Sequence, residues 1–282
     1  MSGTATIGKL TVGVGRKPLL IAGPCVIESA DATLALAESI ASLDVIDEFQ
    51  FVFKASYLKD NRSSAESYRG PGLHEGLEIL SRVRERVGCP VLSDVHTVGE
   101  VSAAAEVLDV LQIPAFLCRQ TSLIEAAGGS GVPVNVKKGQ FMSPEDMGNV
   151  VAKLRGSGAS DVLLTERGTS FGYRDLVVDF RAFMRMRETG CPVVYDVTHS
   201  LQKPGALGDR SGGDPDLVPE MARAAAAVPV EGFFVETHPA PADALSDAAS
   251  MVPLDRLETI LTGVARVHAL SREITASQGA RR

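Results

Sequence analysis

Short apolar runs rich in branched residues alternate along the chain with longer segments whose apolar positions recur every three or four residues. That is a repeated switch from the period of a strand to the period of a helix. The first run, residues 18–23, is followed by an amphipathic segment over 31–43. The succession returns as 49–54 with 72–87, 90–94 with 99–108, 110–113 with 122–127, and 134–137 with 144–154. It closes with 162–165 and 176–188, 193–196 and 215–227, and 233–236 and 254–270. Unbroken βα units of this number predict an α/β fold, a single (β/α)8 TIM barrel rather than an open doubly wound sheet. Residues 4–15 alternate weakly around Gly8, Gly13 and Gly15 and read as a short N-terminal β-hairpin, or else as a tail. The chain therefore divides into an N-terminal extension over 1–17 and a catalytic barrel over 18–282, with 278–282 fraying.

Composition narrows the partners. The 282 residues are 45% hydrophobic and 22% charged, with a formal net charge of −7, values of an ordinary globular domain. An acidic chain without a basic block argues against nucleic acid or an anionic membrane as partner. No run of about 18 apolar residues occurs, so the expected location is cytoplasmic. Cys25, Cys89, Cys118 and Cys191 lie far apart without Cys-x-x-Cys spacing, and reduced thiols are expected.

A barrel of this kind carries its chemistry where the strands end, and here each exit is polar. In order they present Cys25 and Glu28, Lys54, Asp94 with His96, Gln112, Lys137 with Lys138 and Gln140, Glu166 with Arg167, Asp196 with His199, and Glu236 with His238. Lys54, Lys59, Arg62, Lys137, Lys138 and Arg167 are expected to converge as a basic mouth suited to phosphates or carboxylates. Asn61-Arg62-Ser63-Ser64 adds amide and hydroxyl donors beside a cation, which suits a sugar phosphate or simply a surface loop. Cys25, His199, Glu236 and Asp247 offer a thiol, an imidazole and two carboxylates, a set for zinc, iron, manganese or cobalt. Their scatter gives this no support from spacing. Cys25 reads equally as a small packed hydrophobe and His199 as a hydrogen-bonded loop residue. The glycine-rich segment 205–213 lacks a P-loop ending and reads as a lid or a plain loop.

The chain closely resembles the 3-deoxy-D-manno-octulosonate 8-phosphate synthase family over nearly its whole length. The resemblance lies in Ile21-Ala22-Gly23-Pro24-Cys25, Asn61-Arg62-Ser63-Ser64, Tyr68-Arg69-Gly70-Pro71-Gly72-Leu73 and Ile113-Pro114-Ala115-Phe116-Leu117. It continues in Asn135-Val136-Lys137-Lys138-Gly139-Gln140-Phe141, Thr165-Glu166-Arg167-Gly168, Asp196-Val197-Thr198-His199-Ser200 and Glu236-Thr237-His238-Pro239. It implies condensation of phosphoenolpyruvate with D-arabinose 5-phosphate and water, releasing phosphate. It also implies a divalent metal on Cys25, His199, Glu236 and Asp247, since the family's metal-dependent form carries cysteine where the other carries asparagine. By the same matching, Lys54, Lys137, Arg167, Gln112 and the backbone near Ala115 face phosphoenolpyruvate, while Lys59, Asn61, Arg62 and Ser63 face the aldose phosphate. Asp94 and Gln140 join the substrate set. Lys59, Asn61, Lys137, Arg167, His199 and Asp247 are the implied catalytic groups. Arg119 matches an arginine that reaches a neighbouring subunit, which implies a homotetramer.

One departure stands out, Tyr57-Leu58-Lys59-Asp60 where the family reads Phe-Asp-Lys-Ala, so that Asp60 brings negative charge beside the aldose loop. The rival readings are a sister synthase using erythrose 4-phosphate or N-acetylmannosamine, a metal-dependent aldolase, and a noncatalytic barrel that binds phosphorylated metabolites.

Overall fold

The computed structural model describes residues 3–61, 66–203 and 212–279. Its centre is a closed parallel barrel of Leu19–Gly23 (β1), Gln50–Lys54 (β2), Val91–Asp94 (β3), Val110–Ile113 (β4), Val134–Lys137 (β5), Val162–Glu166 (β6), Val193–Asp196 (β7) and Gly232–His238 (β8). Consecutive strands pair in register around the ring. β8 closes it by pairing with both β7 and β1. Helices Ala30–Ala41 (α1), Leu73–Val87 (α2), Val98–Val107 (α3), Thr121–Gly128 (α4), Met147–Gly156 (α5), Arg181–Arg187 (α6), Val218–Ala226 (α7) and Leu254–Gly279 (α8) form the outer layer. The predicted TIM barrel is thus the observed fold.

Local chemistry sets the boundaries. The Ser29 hydroxyl caps α1 by accepting from the Ala32 amide. α2 ends at Gly88 in the left-handed conformation, φ +76°, where a side chain would be strained. At the end of β1, a Cβ on Gly23 would lie 2.0 Å from the Lys54 carbonyl oxygen. Glycine there lets β1 and β2 run close together as they enter the mouth.

Side-chain alternation sorts the barrel into two cores. Leu20, Leu111, Val134, Val136, Leu164, Tyr195 and Phe233 point outward into the layer beneath the helices. Leu19, Ile21, Val52, Leu92, Val110, Leu163, Val194 and Phe234 fill the interior. The expected N-terminal hairpin is present as Ala5–Ile7 paired with Leu10–Val12. Its Ala5, Ile7 and Val12 side chains join the interior cluster, so the hairpin plugs the barrel at the amino ends of the strands.

Three boundaries differ from expectation. The helix predicted over 176–188 begins only at Arg181, because Thr169–Phe171 and Asp175–Val177 fold back as a hairpin turning at Gly172, φ +67°. The region expected to be helical from 215 opens with a 3₁₀ turn, Pro215–Leu217. α8 runs on to Gly279, into the stretch expected to fray. Of the predicted lid, residues 205–211 lie outside the described residues, whereas Gly212–Gly213 pair with Gln202–Lys203.

Candidate active site

Above the apolar floor, the inward positions change character within one step of two residues. Val52 is followed on the same face by Lys54, Leu92 by Asp94, Val110 by Gln112, Leu163 by Thr165 and then Arg167, Val194 by Asp196, and Phe234 by Glu236. Asn135 and Lys137 continue the pattern on β5. All of these polar residues are buried, and buried polar groups of this density need mutual partners.

The partners divide into linked pairs. Lys54 donates to Glu236 at 2.6 Å and to the Cys25 carbonyl at 2.8 Å. Lys137 donates to Asp196 at 2.6 Å, and its ammonium lies 3.6 Å from the centroid of the Phe234 ring. Lys59 approaches Asp94 at 3.6 Å. Arg167 donates one guanidinium nitrogen to Gln202 at 3.1 Å, while its buried Nη1 meets no partner among the described residues. The Oε1 of buried Gln140 is in the same position. Lys54, Lys59, Lys137 and Arg167 are thus matched by Asp94, Asp196, Glu236 and Asp247. The mouth is charge-balanced rather than uniformly basic.

That balance shows in the acid–base behaviour. Burial alone would raise the Asp94 and Asp196 carboxyls, but the groups beside them, led by Lys59 for Asp94 and by His199 and Lys137 for Asp196, hold both far below the usual carboxylate range. Glu236 is likewise held at about 2 by His199, Lys54, Lys59 and Lys137 against the effect of burial. Burial pulls the Lys137 amine down, against the pull of Asp196 and Asp94.

His199 is oriented from one side. Asp196 caps the helical turn Val197–Ser200 by accepting from the His199 amide at 3.0 Å, and its Oδ1 lies 2.9 Å from His199 Nδ1. An ionised carboxylate can only accept, so Nδ1 carries the proton towards it and Nε2 faces Glu236 Oε2 at 3.5 Å.

A second cluster lies between the β1 and β8 exits. One ligand atom from each of Cys25, Glu236 and Asp247 falls within 4.8 Å of the others. The Cys25 thiol donates to Asp247 at 3.0 Å, and its sulfur lies 3.1 Å from the Ser246 hydroxyl. Burial, then Asp247 and Glu236, push this thiol well above the usual cysteine range. Asp247 has φ +49°, the only positive φ of a non-glycine residue among the described residues. Backbone in this region costs energy and concentrates at functional sites. The loop bearing it is braced by Glu28, which accepts from the Leu245 amide at 2.8 Å and lies 3.5 Å from His238.

These residues fit a divalent cation. A thiol and two carboxylates repel one another once ionised in a cluster where Cys25 and Glu236 are buried and Asp247 half-buried, and Glu236 Oε2 is buried with no hydrogen-bond partner among the described residues. Sulfur with carboxylate donors suits zinc, iron, manganese or cobalt better than magnesium. His199 stands outside the three-residue group, reaching it through Glu236.

Lys138 does not join the converging cations. It is next to Lys137 on a strand end, so its side chain leaves on the opposite face, where its ammonium lies 3.5 Å from Glu166, 3.1 Å from the Thr169 hydroxyl and 3.3 Å from the Gly139 and Met142 carbonyls. Asn61 is exposed at the rim, and Arg62 and Ser63 lie outside the described residues. Asp60 is paired with Arg69 on the surface, and the Lys59 amide donates to the Arg69 carbonyl at 2.7 Å. Ala115 is buried at the start of a 3₁₀ turn, Ala115–Leu117, and Arg119 just after it is exposed. Asn135 and Thr165 carry no predicted role beyond their place in two motifs, although each lies two residues before an inward cation and shares its parity.

Comparison with known proteins places this site in a family. The model of the DAHP synthetase I family matches residues 3–271. The chain belongs to that family. Within the DAHP synthetase I family it is similar to a 2-dehydro-3-deoxyphosphooctonate aldolase of Desulfatibacillum aliphaticivorans, 55% identical over 262 residues, covering 93% of this chain and 96% of the relative. A protein of the same name from Syntrophotalea carbinolica is 52% identical over 279 residues, covering 98% and 100%. Another, from a Synechococcus strain, is 53% identical over 270 residues, covering 95% of each.

Proposed function

We propose that the chain is a 3-deoxy-D-manno-octulosonate 8-phosphate synthase, joining phosphoenolpyruvate, D-arabinose 5-phosphate and water and releasing phosphate. The observation that carries this reading is the set of cations at the ends of β2, β5 and β6, Lys54, Lys137 and Arg167, buried in the mouth of a chain half-identical along its length to proteins named for this sugar acid. Arg167 Nη1, buried and without a partner among the described residues, is available to a phosphate or carboxylate oxygen.

In the reaction, C3 of the enol phosphate forms a bond to the aldehyde carbon while water adds at C2, and the hemiketal phosphate then loses phosphate by C–O cleavage. Two anionic reactants repel one another in water, so their alignment is the main task of the site, and fixed geometry supplies several kcal/mol. Lys54, Lys137, Arg167, Gln112, Gln140 and the Ala115 backbone hold the enol phosphate. Lys59, Asp94 and Asn61, with Arg62 and Ser63, hold the aldose phosphate. His199, with Nδ1 fixed on Asp196, presents Nε2 for proton transfer or metal ligation. Cys25, Glu236, Asp247 and His199 would hold the divalent ion, which when bound supplies polarisation of an oxygen or a more acidic water. Pairing with Arg69 balances the charge of Asp60, and Asn61-Arg62-Ser63-Ser64 favours the arabinose substrate over erythrose 4-phosphate. Arg119, exposed beside Phe116, is offered to a neighbouring subunit of a homotetramer. Buried thiols with no disulfide accord with the cytoplasm.

The test is phosphate release from phosphoenolpyruvate plus arabinose 5-phosphate, before and after chelation and on restoring divalent metals. Release that stops with chelator and returns with metal is expected. Release unaffected by verified loss of metal removes the metal role, and no release with any metal moves the assignment to another aldose or to a binding protein.

A further inference from the structure

A run of buried side-chain hydrogen bonds crosses the barrel interior from β6 to β2. The Thr165 hydroxyl donates to Asn135 Oδ1 at 2.7 Å, and the Asn135 amide donates to Gln112 Oε1 at 2.9 Å. The Gln112 amide donates to Asp94 Oδ1. The other oxygen of Asp94 accepts from Ser56 at 2.6 Å and faces Lys59 at 3.6 Å. Asp94, Gln112 and Asn135 lie on one register level of the sheet, and all five residues from Thr165 to Ser56 are buried.

Chemistry fixes the direction of this run. Asp94 is ionised, held so mainly by Lys59, and can only accept. Gln112 must therefore turn its NH₂ to Asp94 and its carbonyl to Asn135. Asn135 must answer with its NH₂, which leaves its carbonyl for the only hydroxyl at the end, Thr165. Reversing any amide sets two acceptors face to face in a buried site.

We propose that Asn135 and Thr165 are positioning residues for the aldose half of the site, setting the Gln112 amide so that Asp94 is held at the angle from which it directs Lys59. Neither side chain touches Lys59; each acts through Gln112 and Asp94. The proposal rests on the synthase reading for its kinetic consequence and on the hydrogen bonds alone for its structural one. Hydrogen bonds in series polarise one another, so the far end of the run is felt at Asp94 although Thr165 lies on β6.

The experiment compares Thr165→Val, which keeps the shape and removes the hydroxyl, with Thr165→Ser, which keeps it, and with Asn135→Leu. For Thr165→Val, kcat/KM for arabinose 5-phosphate is expected to fall about tenfold, the scale of one buried acceptor left unpaired. Because Gln112 also meets the enol phosphate, KM for phosphoenolpyruvate rises too, by a clearly smaller factor, and Thr165→Ser recovers most of both losses. Asn135→Leu, which breaks the run in the middle, is expected to fall about a hundredfold. Equal losses for both substrates, a Val variant as active as the parent, or no rescue by Ser would each overturn the proposal. If Asn135→Leu does not fold, the Val and Ser pair decides alone. A second readout needs no turnover: acetylation of Lys59 by acetic anhydride, followed by peptide mass mapping, is expected to quicken in Thr165→Val and not in Thr165→Ser. An unchanged rate in both refutes the run even if the parent releases no phosphate, whereas a parent without activity but with quickened labelling in Val refutes only the synthase reading.

Discussion

Replacing Lys138 by methionine tests the claim that the second lysine of the pair is structural. Its ammonium is fully buried 3.5 Å from the equally buried Glu166 Oε1. At that distance an effective dielectric of 20 gives an attraction of about 5 kcal/mol. Removing one partner of such a pair costs about 3–5 kcal/mol because the other charge is stranded. Burial has already raised the Glu166 carboxyl, so it takes up a proton once Lys138 is gone, which trims the cost to about 3 kcal/mol. For a domain of this size that corresponds to a melting temperature lower by about 6–12 °C. The assay is thermal unfolding of parent, Lys138→Met, Glu166→Gln and the double variant at one protein concentration and pH. Glutamine at 166 keeps a carbonyl for the Gly168 amide, which Glu166 accepts at 2.7 Å, and carries no charge to strand. The double variant should therefore regain at least half of the loss. A Lys138→Met protein melting within about 2 °C of the parent, or a double variant no better than the single, would falsify the buried-pair reasoning.

Three more outcomes follow from the described contacts. Arg167→Ala should raise KM for phosphoenolpyruvate and lower kcat together by about a hundredfold or more; near-normal values of both would remove Arg167 from the site. Cys25→Asn keeps a polar partner for Asp247 without the thiol, and should release phosphate without added metal; a folded but wholly inactive variant would contradict this. Glu100 accepts from Tyr57 at 2.7 Å, from the His96 amide at 2.9 Å and from Thr97 at 2.9 Å, and although burial acts upward, bonds from His96, Tyr57 and Thr97 lower its carboxyl from 4.5 to about 2. Because the folded value is the lower one, this stabilisation is complete above pH 4.5 and fades as pH falls towards 2. Glu100→Gln should thus trail the parent by about 2 kcal/mol in guanidinium unfolding at pH 7, with the gap narrowing at pH 3; a gap that widens there sinks the assignment.

The barrel was legible because each strand and helix carries its own period, and parity then decides which side chains face the interior. Parity also explains the misplacement of Lys138: adjacent lysines at a strand end leave on opposite faces, so only Lys137 belongs to the mouth. The excursion at 169–177 was hidden because Leu176, Val177 and Val178 continue an apolar run into Phe180 and Phe183 that mimics a helix, while the turn at Gly172 marks a hairpin. Cys25, Glu236 and Asp247 are 211 and 11 residues apart in sequence, and no local pattern could join them. Closure of β8 onto β1 brings the first two together, and the strained backbone at Asp247 supplies the third. Charge balance in the mouth was likewise invisible to a tally of cations, since Asp94 and Asp196 belong to the same inward rows.

The hairpin plug turns the barrel into a well with a single opening. With Ala5, Ile7 and Val12 packed into the interior cluster at the far end, nothing can pass through the tube. Lys54, Lys137, Asp94 and Lys59 all lie inside this well, at 1%, 8%, 7% and 11% side-chain exposure, whereas Asn61 is exposed. Every ligand of the mouth therefore enters and leaves by the carboxyl ends of the strands.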